Sequence, residues 1–381
     1  MPPIAQEGNC LIYSGSNFLK QRLILSCLSG KPVKITQIHI NDDTAPGLRE
    51  YEIGLIRLLD KLTNGTKIEL NPSGTSILFT PGLLYGGLLQ HDCCIQRGIG
   101  YYLDVLIALG PFCKNPINAT LKGVTNSKDS PSVDHIKGSA LPVLKRFLVV
   151  DEGLELKVVR RGAAPLGGGE VQFRCPVRKN LRSLQFQSQG MVKRVRGTVY
   201  ACKVSPAMAN RTVEAAKGVM LKFLPDVYIY TDQNRGKMSG NSPGFGICLI
   251  ADTTDDVCYG AESISNSKEE GKDPSVPEDL GREAAMKLLD EIYRGGCCDS
   301  SYQWLVTLFM ALSQKNVSKF LTGPLSTYTI HFLQNLRDFF SITFKLENPE
   351  SDDQDDAMPG AQKVLMTCVG IGYTNISKRV N

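Results

Sequence analysis

Strand-like and helix-like segments alternate along the chain, and this alternation limits the fold more than any other feature. GTVYACKV (197–204) alternates in strand fashion, and AMANRTVEAAKGVMLKFL (207–224) then repeats apolar residues at helical spacing. Ser205 and Pro206 between them suit an N-cap and a first helical turn, and DVYIYTD (226–232) returns to a strand pattern. The order recurs where YEIGLIRLLDKLTNG (51–65) precedes two strand patterns. We therefore predict α/β layers with helices covering sheets.

Polar stretches mark the predicted domain boundaries. LQFQSQGMV (184–192) precedes the strand–helix–strand unit, and the proline-punctuated SISNSKEEGKDPSVPED (263–279) follows it. We predict a smaller α/β domain inserted at 185–280, with the large domain at 1–184 and 281–381. A third stretch, ENPESDDQDDAMPGAQ (347–362), has six acidic residues and no base, so we predict an acidic loop there.

The cysteines and apolar runs indicate the class of protein. The N-terminus has no basic region followed by an apolar run, and the longest apolar stretch is too short for a bilayer and contains Asp104. We predict an intracellular protein with no membrane contact. The twelve cysteines are expected to be reduced. The adjacent pairs at 93–94 and 297–298 lack the spacing of zinc ligands, so we predict small buried hydrophobes and no metal site.

Positive charge is concentrated in RCPVRKNLRSLQFQSQGMVKRVR (174–196), which has seven Arg or Lys and no acid. Such a stretch can contact nucleic-acid phosphates, or it can form a solvated basic face. Just before it, RRGAAPLGGGEV (160–171) places three successive glycines between two strand patterns. Glycines let a backbone approach phosphates closely, but the same run suits a hairpin connection. The residues alone leave both alternatives open.

Acidic and histidine side chains are the candidates for catalysis. Asp252, Asp255 and Asp256 could hold Mg²⁺ for phosphodiester chemistry, but they lie where a hairpin turn is expected, and we favour the turn. The four histidines form no recognisable triad with Ser and Asp.

The segment STYTIHFLQNLRDFF (326–340) is predicted to be a helix capped by Ser326 or Thr327. Its predicted apolar side comprises Ile330, Leu333, Leu336 and Phe340. His331 falls on the polar side, together with Gln334, Asn335 and Asp338. A histidine among exposed polar residues is usually only solvated, so we expect no catalytic role for it.

Six segments closely resemble the RNA 3'-terminal phosphate cyclase family, in its eukaryotic cyclase-like branch. They are TPGLLYGGLLQHDCCIQRGIGYYL (80–103), LKGVTNSKDSPSVD (121–134), RRGAAPLGGGEV (160–171), NSPGFGICLIADTT (241–254), PEDLGREAAMKLLDEIYRGGCCDSSYQ (277–303) and KVLMTCVGIGYTN (363–375). The similarity runs from about residue 8 to residue 380. It implies a large domain of three repeated α/β units, similar to the C-terminal domain of a translation initiation factor, with a smaller inserted α/β domain.

The resemblance also implies what has been lost. True cyclases adenylate a histidine with ATP and convert an RNA 3'-phosphate to a 2',3'-cyclic phosphate. The resemblance puts Tyr328 at that histidine's position, Tyr13 at a metal-holding glutamate and Tyr302 at a carboxylate near the nucleotide. A phenol is protonated near neutral pH and is a poor substitute for each group. We therefore expect no cyclase activity and no cofactor.

The cyclase-like branch is associated with small-subunit ribosome biogenesis, so the resemblance implies a nuclear, nucleolar factor of the small-subunit processome. Such a factor would bind a ribosome-assembly GTPase and pre-rRNA and be required for processing toward 18S rRNA. A pre-rRNA endonuclease and a residual cyclase are the alternatives. The predicted RNA contacts are Arg160, Arg161, Arg178, Lys179, Lys193, Arg194 and Arg196. The predicted partner contacts, on the exposed side of the 328–340 helix, are Gln334, Asn335, Arg337 and Asp338.

Overall fold

Three units of the fold repeat one order of elements: strand, helix, strand, helix, strand, strand. The computed structural model describes residues 5–267, 271, 273–349 and 360–375. Counted from the strand that directly precedes each unit's first helix, the first two strands of each sheet are parallel, the later pairings are antiparallel, and the fourth strand lies between the second and third. The first unit has one more strand at its N-terminal edge, which pairs antiparallel with the next. The prediction of an α/β fold with three repeated units is confirmed.

The first unit covers residues 5–84. Its elements are β1 (Ala5–Glu7), β2 (Cys10–Ser14), α1 (Leu19–Ser29), β3 (Val33–Thr36), α2 (Glu50–Leu62), β4 (Thr63–Asn64), β5 (Lys67–Leu70), β6 (Ile77–Thr80) and β7 (Leu83–Leu84). The five-stranded sheet has the order β1-β2-β3-β6-β5, and β4 pairs with β7 separately.

The second unit covers residues 86–175. Its elements are β8 (Gly86–Asp92), α3 (Ile99–Leu109), β9 (Asn115–Gly123), α4 (Val133–His135), a π-helical turn (Ile136–Ala140), α5 (Leu141–Phe147), β10 (Glu155–Arg160) and β11 (Gly169–Cys175). Its sheet has the order β10-β11-β9-β8. The helical segments from α4 to α5 follow one another without a break.

The third unit is interrupted after its first strand, β12 (Gln185–Phe186), by an insertion. The insertion comprises β13 (Val192–Cys202), α6 (Pro206–Met220), β14 (Val227–Asn234), β15 (Gly244–Thr253), β16 (Cys258–Ile264) and α7 (Pro277–Arg294). The third unit then continues with α8 (Gln303–Leu312), β17 (Val317–Thr322), α9 (Thr327–Phe340), β18 (Lys345–Glu347) and β19 (Val364–Val369). The two sheets have the orders β14-β13-β15-β16 and β12-β17-β19-β18.

The packing of β12 and α7 locates the ends of the insertion. β12 pairs with β17 of the third unit, although the sequence puts residues 185–186 in the inserted domain. The predicted boundary at 280 falls inside α7, which packs against α6, β15 and β16. The predicted acidic loop at 347–362 is described only at its two ends, because residues 350–359 lie outside the described residues.

Two apolar helices form the centre of the large domain. All ten residues of α8 and ten of the eleven in α3 are buried, as expected for a helix that is apolar on every side. α1 contacts α3 and α9, and α8 contacts α5 and α9, so these helices fill the space between the sheets. Within the described ranges, none of the helices is long and apolar enough to cross a bilayer.

The glycine-rich run at 160–171 forms the turn between β10 and β11, so the hairpin interpretation is confirmed. Gly167 and Gly168 have φ angles of 60° and 81°, which glycine adopts without strain. The turn packs on the insertion: the N–H of Asn241 donates to the carbonyl of Gly167 at 2.8 Å, and the N–H of Leu166 donates to Ser242 Oγ at 3.0 Å. The turn therefore joins the two domains.

A buried histidine also joins the second unit to the insertion. His135 on α4 is 5% exposed, its Nε2 donates to Asp299 Oδ2 at 3.0 Å, and its Nδ1 lies 3.8 Å from Glu262 of β16. Burial alone would lower the pKa of His135, but the hydrogen bonds and charges of the two carboxylates outweigh it and raise the pKa to about 10. His135 is therefore a buried cation at neutral pH.

Candidate functional site

Tyr328, which the resemblance places at the cyclase nucleophile, lies in the first turn of α9 inside an aromatic pocket. Its ring centroid is 6.1 Å from those of Phe18 and Trp304. Its hydroxyl is buried and has no hydrogen-bond partner in the described part of the chain. Burial raises the pKa of Tyr328, although the charge of nearby Lys20 opposes the rise. The phenol therefore stays protonated and out of contact with solvent.

Buried polar contacts hold this pocket between α1, α3 and α9. Lys20 Nζ lies 2.6 Å from Asp104 Oδ2, an ion pair in which Asp104 is 4% exposed. Gln21 donates from Nε2 to the carbonyl of Tyr328 at 3.1 Å and accepts from Asn335 Nδ2 at 2.8 Å. These bonds fix α9 against α1.

Tyr13 occupies the middle of β2 and is fully buried. Its hydroxyl donates to Asp338 Oδ2 at 3.2 Å, and the Arg22 guanidinium lies 4.1 Å from its ring centroid. Burial, together with the charge of Asp338, raises the pKa of Tyr13. Where the resemblance expects a metal-holding glutamate, the chain therefore has a neutral phenol.

Tyr302 precedes α8 and is 1% exposed. Its hydroxyl is buried with no hydrogen-bond partner among the described residues, and its ring meets that of His135 edge to face at 5.6 Å. Burial raises the pKa of Tyr302 well above its ordinary value. All three tyrosines are thus core residues with raised pKa values, at positions where the resemblance places ionisable groups of the cyclases.

The buried face of α9 differs from the predicted one. Ser326 caps the helix as predicted, because its side chain accepts from the N–H of Thr329 at 3.3 Å. The predicted apolar side is wrong at Ile330, which is 43% exposed, while Leu336 is buried and Leu333 and Phe340 are partly buried against the core. The side chains that are buried instead are Thr329, Phe332, Asn335, Leu336 and Phe339.

His331 is half-buried rather than solvated on a polar face, so that prediction is corrected. Its ring stacks on Phe18 with a centroid distance of 4.3 Å, and its Nδ1 lies 3.2 Å from Gln334 Oε1. No described carboxylate contacts it. The stacking on Phe18 helps to close the pocket around Tyr328.

The four predicted partner contacts separate into two pairs. Arg337 is exposed and Gln334 is half-buried. Asn335 is 2% exposed because it binds Gln21, and the Asp338 side chain is 7% exposed because it accepts from Tyr13. The prediction that Asn335 and Asp338 face solvent is therefore wrong, since both are hydrogen-bonded inside the fold.

A cleft that sequence reasoning missed lies at the carboxyl ends of β2 and β3, with a volume of about 620 Å³. His39 Nε2 is 3.1 Å from Glu52 Oε1, and Ser16 Oγ is 3.5 Å from His39 Nδ1. Gln37 and His39 have φ angles of 56° and 46°, an uncommon backbone conformation that clusters at functional sites. Because 23 residues separate Ser16 from His39, no local motif reveals the constellation.

Three of the predicted RNA contacts lie together at the start of β13. Lys193, Arg194 and Arg196 all reach the surface, and each pairs with one aspartate: Asp256 at 3.3 Å, Asp252 at 2.8 Å and Asp226 at 2.7 Å respectively. Ion pairs at a surface are weak, so a phosphate can replace the carboxylate. The positions are compatible with nucleic-acid contact, and the assignment stays a prediction.

Arg161 cannot contact RNA in this structure, which corrects its assignment. It is 5% exposed, its guanidinium binds both carboxylate oxygens of Asp134, and its Nε donates to Asp232 at 2.8 Å. The charges of the two aspartates raise the pKa of Arg161 against the effect of burial. Arg161 therefore ties the second unit to β14.

The remaining predicted RNA contacts are separated from those on β13 along the chain. Arg160 is partly exposed and lies 3.6 Å from Glu170. Arg178 donates from Nε to the carbonyl of Val150 at 2.9 Å, and Lys179 is exposed. Of these three residues, Lys179 is exposed, and Arg160 and Arg178 are partly buried.

The acidic candidates for Mg²⁺ lie at the tip of the β15–β16 hairpin: Asp255 and Asp256 are in the turn, as predicted, and Asp252 is near the end of β15. Asp252 and Asp256 pair with Arg194 and Lys193, and Asp255 accepts from Ser188. Across the described ranges, no group of three or more His, Cys, Asp or Glu side chains is arranged to hold a metal ion.

Comparison with known proteins decides the family. A family model described as RNA 3'-terminal phosphate cyclase matches residues 11–346. The chain belongs to the RNA 3'-terminal phosphate cyclase family. The "Probable RNA 3'-terminal phosphate cyclase-like protein" of Drosophila melanogaster is 80% identical over 383 residues, covering 100% of both chains. The "RNA 3'-terminal phosphate cyclase-like protein" of Homo sapiens is 54% identical, covering 98% of this chain and 99% of that one.

A third relative in this family is named for a process, the processing of rRNA. The "rRNA processing protein rcl1" of Schizosaccharomyces pombe is 41% identical, covering 98% of this chain and 99% of its own. The family resemblance seen in the sequence motifs is thus confirmed over nearly the whole chain.

Proposed function

We propose that the protein is a non-cyclase factor of ribosomal RNA processing, acting in the nucleolar small-subunit processome toward 18S rRNA. The name of the Schizosaccharomyces pombe relative supports the processing role. The observation that carries the proposal is the state of Tyr328, at the position that the resemblance gives to the nucleophile: its hydroxyl is buried and its pKa is raised, so it is a poor nucleophile. The proposed activity is therefore binding of pre-rRNA and a nucleolar assembly GTPase, without a cofactor or a membrane.

The RNA contacts of the proposal are the exposed basic groups. Lys193, Arg194 and Arg196 form one cluster on β13, and Lys179 adds an exposed cation elsewhere. Nucleic-acid phosphates attract such groups regardless of sequence, which suits a factor guided to its RNA by a partner.

For the GTPase we propose the part of α9 that reaches solvent, represented by Gln334 and Arg337. Alanine at both positions should weaken capture of the GTPase, because Arg is favoured where interfaces carry binding energy. Alanine at Lys345, another exposed cation of the third unit, serves as the control. Equal GTPase capture by the double variant and the wild type would reject this surface.

Depletion of the protein from cells, with rescue by variants, tests the function. Wild-type protein and Y328F should both restore 18S rRNA, and crosslinking should recover pre-rRNA with the wild type. Normal 18S rRNA after full depletion would contradict the processing role, and crosslinking that recovers no pre-rRNA would contradict RNA binding.

The cleft at His39 favours one second candidate, a pre-rRNA endonuclease. Glu52 holds Nε2 of His39, and an RNA 2'-hydroxyl that took the place of the Ser16 hydroxyl beside Nδ1 would give its proton there, a general-base role. H39A should then abolish cleavage of a pre-rRNA fragment while H331A retains it. Equal cleavage by H39A and the wild type, or no cleavage by the wild type, would exclude this cleft as a nuclease site.

A further inference from the structure

The inserted sheet has one face covered by α6 and α7 and a second face that meets the second unit. In the parallel register of β13 and β14, Arg196 lies beside Tyr228 and Thr198 beside Tyr230. Side chains two residues apart on a strand share a face, so Arg194 joins this group. We call Tyr228, Tyr230, Arg194, Arg196 and Thr198 the tyrosine platform.

The second unit covers only the far part of this face. His135 lies against Gly260 of β16, and Gly138 lies against Ile250 of β15. Arg161 reaches Asp232 at the other end of β14 and stands 5.6 Å from the ring centroid of Tyr200. The tyrosine platform lies outside these contacts.

The two tyrosines are large exposed aromatic groups in direct contact with each other. Tyr228 is 53% exposed and Tyr230 is 56% exposed, with ring centroids 4.5 Å apart and planes inclined by 73°. Neither hydroxyl has a hydrogen-bond partner in the part of the chain that the structure describes, so neither ring is placed by a polar bond. Two adjacent exposed aromatic rings give flat surfaces on which nucleobases stack.

Exposed cations lie on β13 and on the chain before and after β14. Arg194 uses only Nε for Asp252, so its two terminal nitrogens face no acceptor among the described residues. Lys222 precedes β14, Arg235 and Lys237 follow it, and all three are exposed without an ion pair in the described ranges. Arg196, which lies beside Tyr228, and Arg194 two residues before it give the aromatic surface the positive charge that suits a polyanion whose bases are unpaired.

We propose that the tyrosine platform binds a single-stranded segment of RNA, with bases stacked on Tyr228 and Tyr230 and phosphates held by Arg194 and Arg196. The proposal deepens the proposed function and rests on its RNA binding. Single-stranded RNA fits better than a duplex, because the bases of a duplex are stacked on one another and closed to aromatic side chains. A peptide added to the free edge of β14 would hydrogen-bond to that strand's backbone and would not contact the faces of the two tyrosine rings.

The test uses the full-length protein and a fluorescein-labelled, unstructured twelve-nucleotide uridine-rich RNA, with binding followed by anisotropy. Y228A/Y230A should bind at least tenfold more weakly, since stacking on an aromatic ring contributes about that factor per base. Y228F/Y230F keeps both rings and should stay within twofold of the wild type. Y293A, which removes an exposed tyrosine from α7, is the matched control and should not change binding.

A second readout separates stacking from charge. A 2-aminopurine base in the same RNA should lose fluorescence on binding the wild type and the Phe variant, but not the Ala variant. Equal affinity and equal quenching for Y228A/Y230A and the wild type would overturn the platform while RNA binding stands. Failure of the wild type to bind this RNA would overturn the platform and the RNA contact of the proposed function together.

Discussion

Two sets of tyrosines differ in their surroundings and, we infer, in their use. Tyr13, Tyr302 and Tyr328 lie in the large domain with buried phenols whose pKa burial raises. Tyr228 and Tyr230 lie on the inserted sheet with more than half of each side chain exposed. The same side chain therefore contributes packing in one region and an accessible aromatic surface in the other. The comparison shows that the surroundings of a tyrosine in the fold, and not the residue type, determine what its side chain contributes.

Replacing one tyrosine of each set by alanine should give the largest difference in the free energy of unfolding. Y328A removes a ring packed between Phe18 and Trp304, and the cavity should lower the free energy of unfolding by about 3–5 kcal/mol. Y228A removes an exposed ring and should change it by less than about 0.5 kcal/mol. Urea denaturation measures both, and equal losses would erase the distinction between the two regions.

The junction between those regions should depend on pH through His135. Its pKa is about 10 in the folded protein, above the value of about 6.5 in the unfolded chain, so its contribution is full below pH 6.5 and lost as pH rises through 10. H135Q should lower the free energy of unfolding by about 3 kcal/mol at neutral pH, because Asp299 then loses its buried partner.

Denaturation of both proteins from pH 6 to pH 10.5 checks this expectation, because titrations common to the two proteins cancel in the difference. The difference should shrink steadily across the window. A difference that stayed constant would show that His135 is not charged in the fold.

The inserted sheet should carry the salt dependence of RNA binding. K193E/R194E/R196E should weaken binding by at least tenfold and lower the salt slope by about 2, since each phosphate contact on a single strand adds about 0.7. The control R211E/R282E/K287E makes the same charge change on exposed positions of α6 and α7. Equal losses in the two variants would indicate a general charge effect rather than a site on the sheet.

The smallest expected effect is that of Y328F. It deletes a buried hydroxyl that lacks a hydrogen-bond partner among the described residues, so the protein should become up to about 1 kcal/mol more stable or stay unchanged. Thermal or urea denaturation measures this, with Y13F as the comparison because Tyr13 does donate to Asp338. A loss of more than 1 kcal/mol for Y328F would reveal a partner for the hydroxyl.

The sequence predicted the layers because strand and helix periods are local signals. The Ser205 and Ser326 caps and the β10–β11 hairpin all follow from neighbouring residues and are confirmed. The buried face of α9 was only partly predicted, because Thr329 and Asn335 are polar residues whose side chains hydrogen-bond within the fold, to Ser326 and Gln21. Hydropathy cannot register a polar group whose partner is 314 residues away, as Gln21 is from Asn335.

The candidate site, like the fold, could be predicted from the sequence only where the signal is local. Motif positions indicated Tyr13, Tyr302 and Tyr328, but charge alone could not tell a buried arginine from an exposed one, so Arg161 was assigned to RNA. The Ser16–His39–Glu52 constellation and the tyrosine platform are formed by residues from different elements. Both depend on strand register and loop conformation, which only the folded chain supplies.

Covalent labelling with ATP tests the central claim most directly. The protein is incubated with ATP labelled at the α-phosphate and an RNA bearing a 3'-phosphate, and both the protein and the RNA end are analysed. With a buried, protonated phenol at position 328, the account predicts no protein–AMP adduct and no 2',3'-cyclic phosphate. A stable adduct on the wild-type chain, or cyclisation of the RNA end, would contradict it.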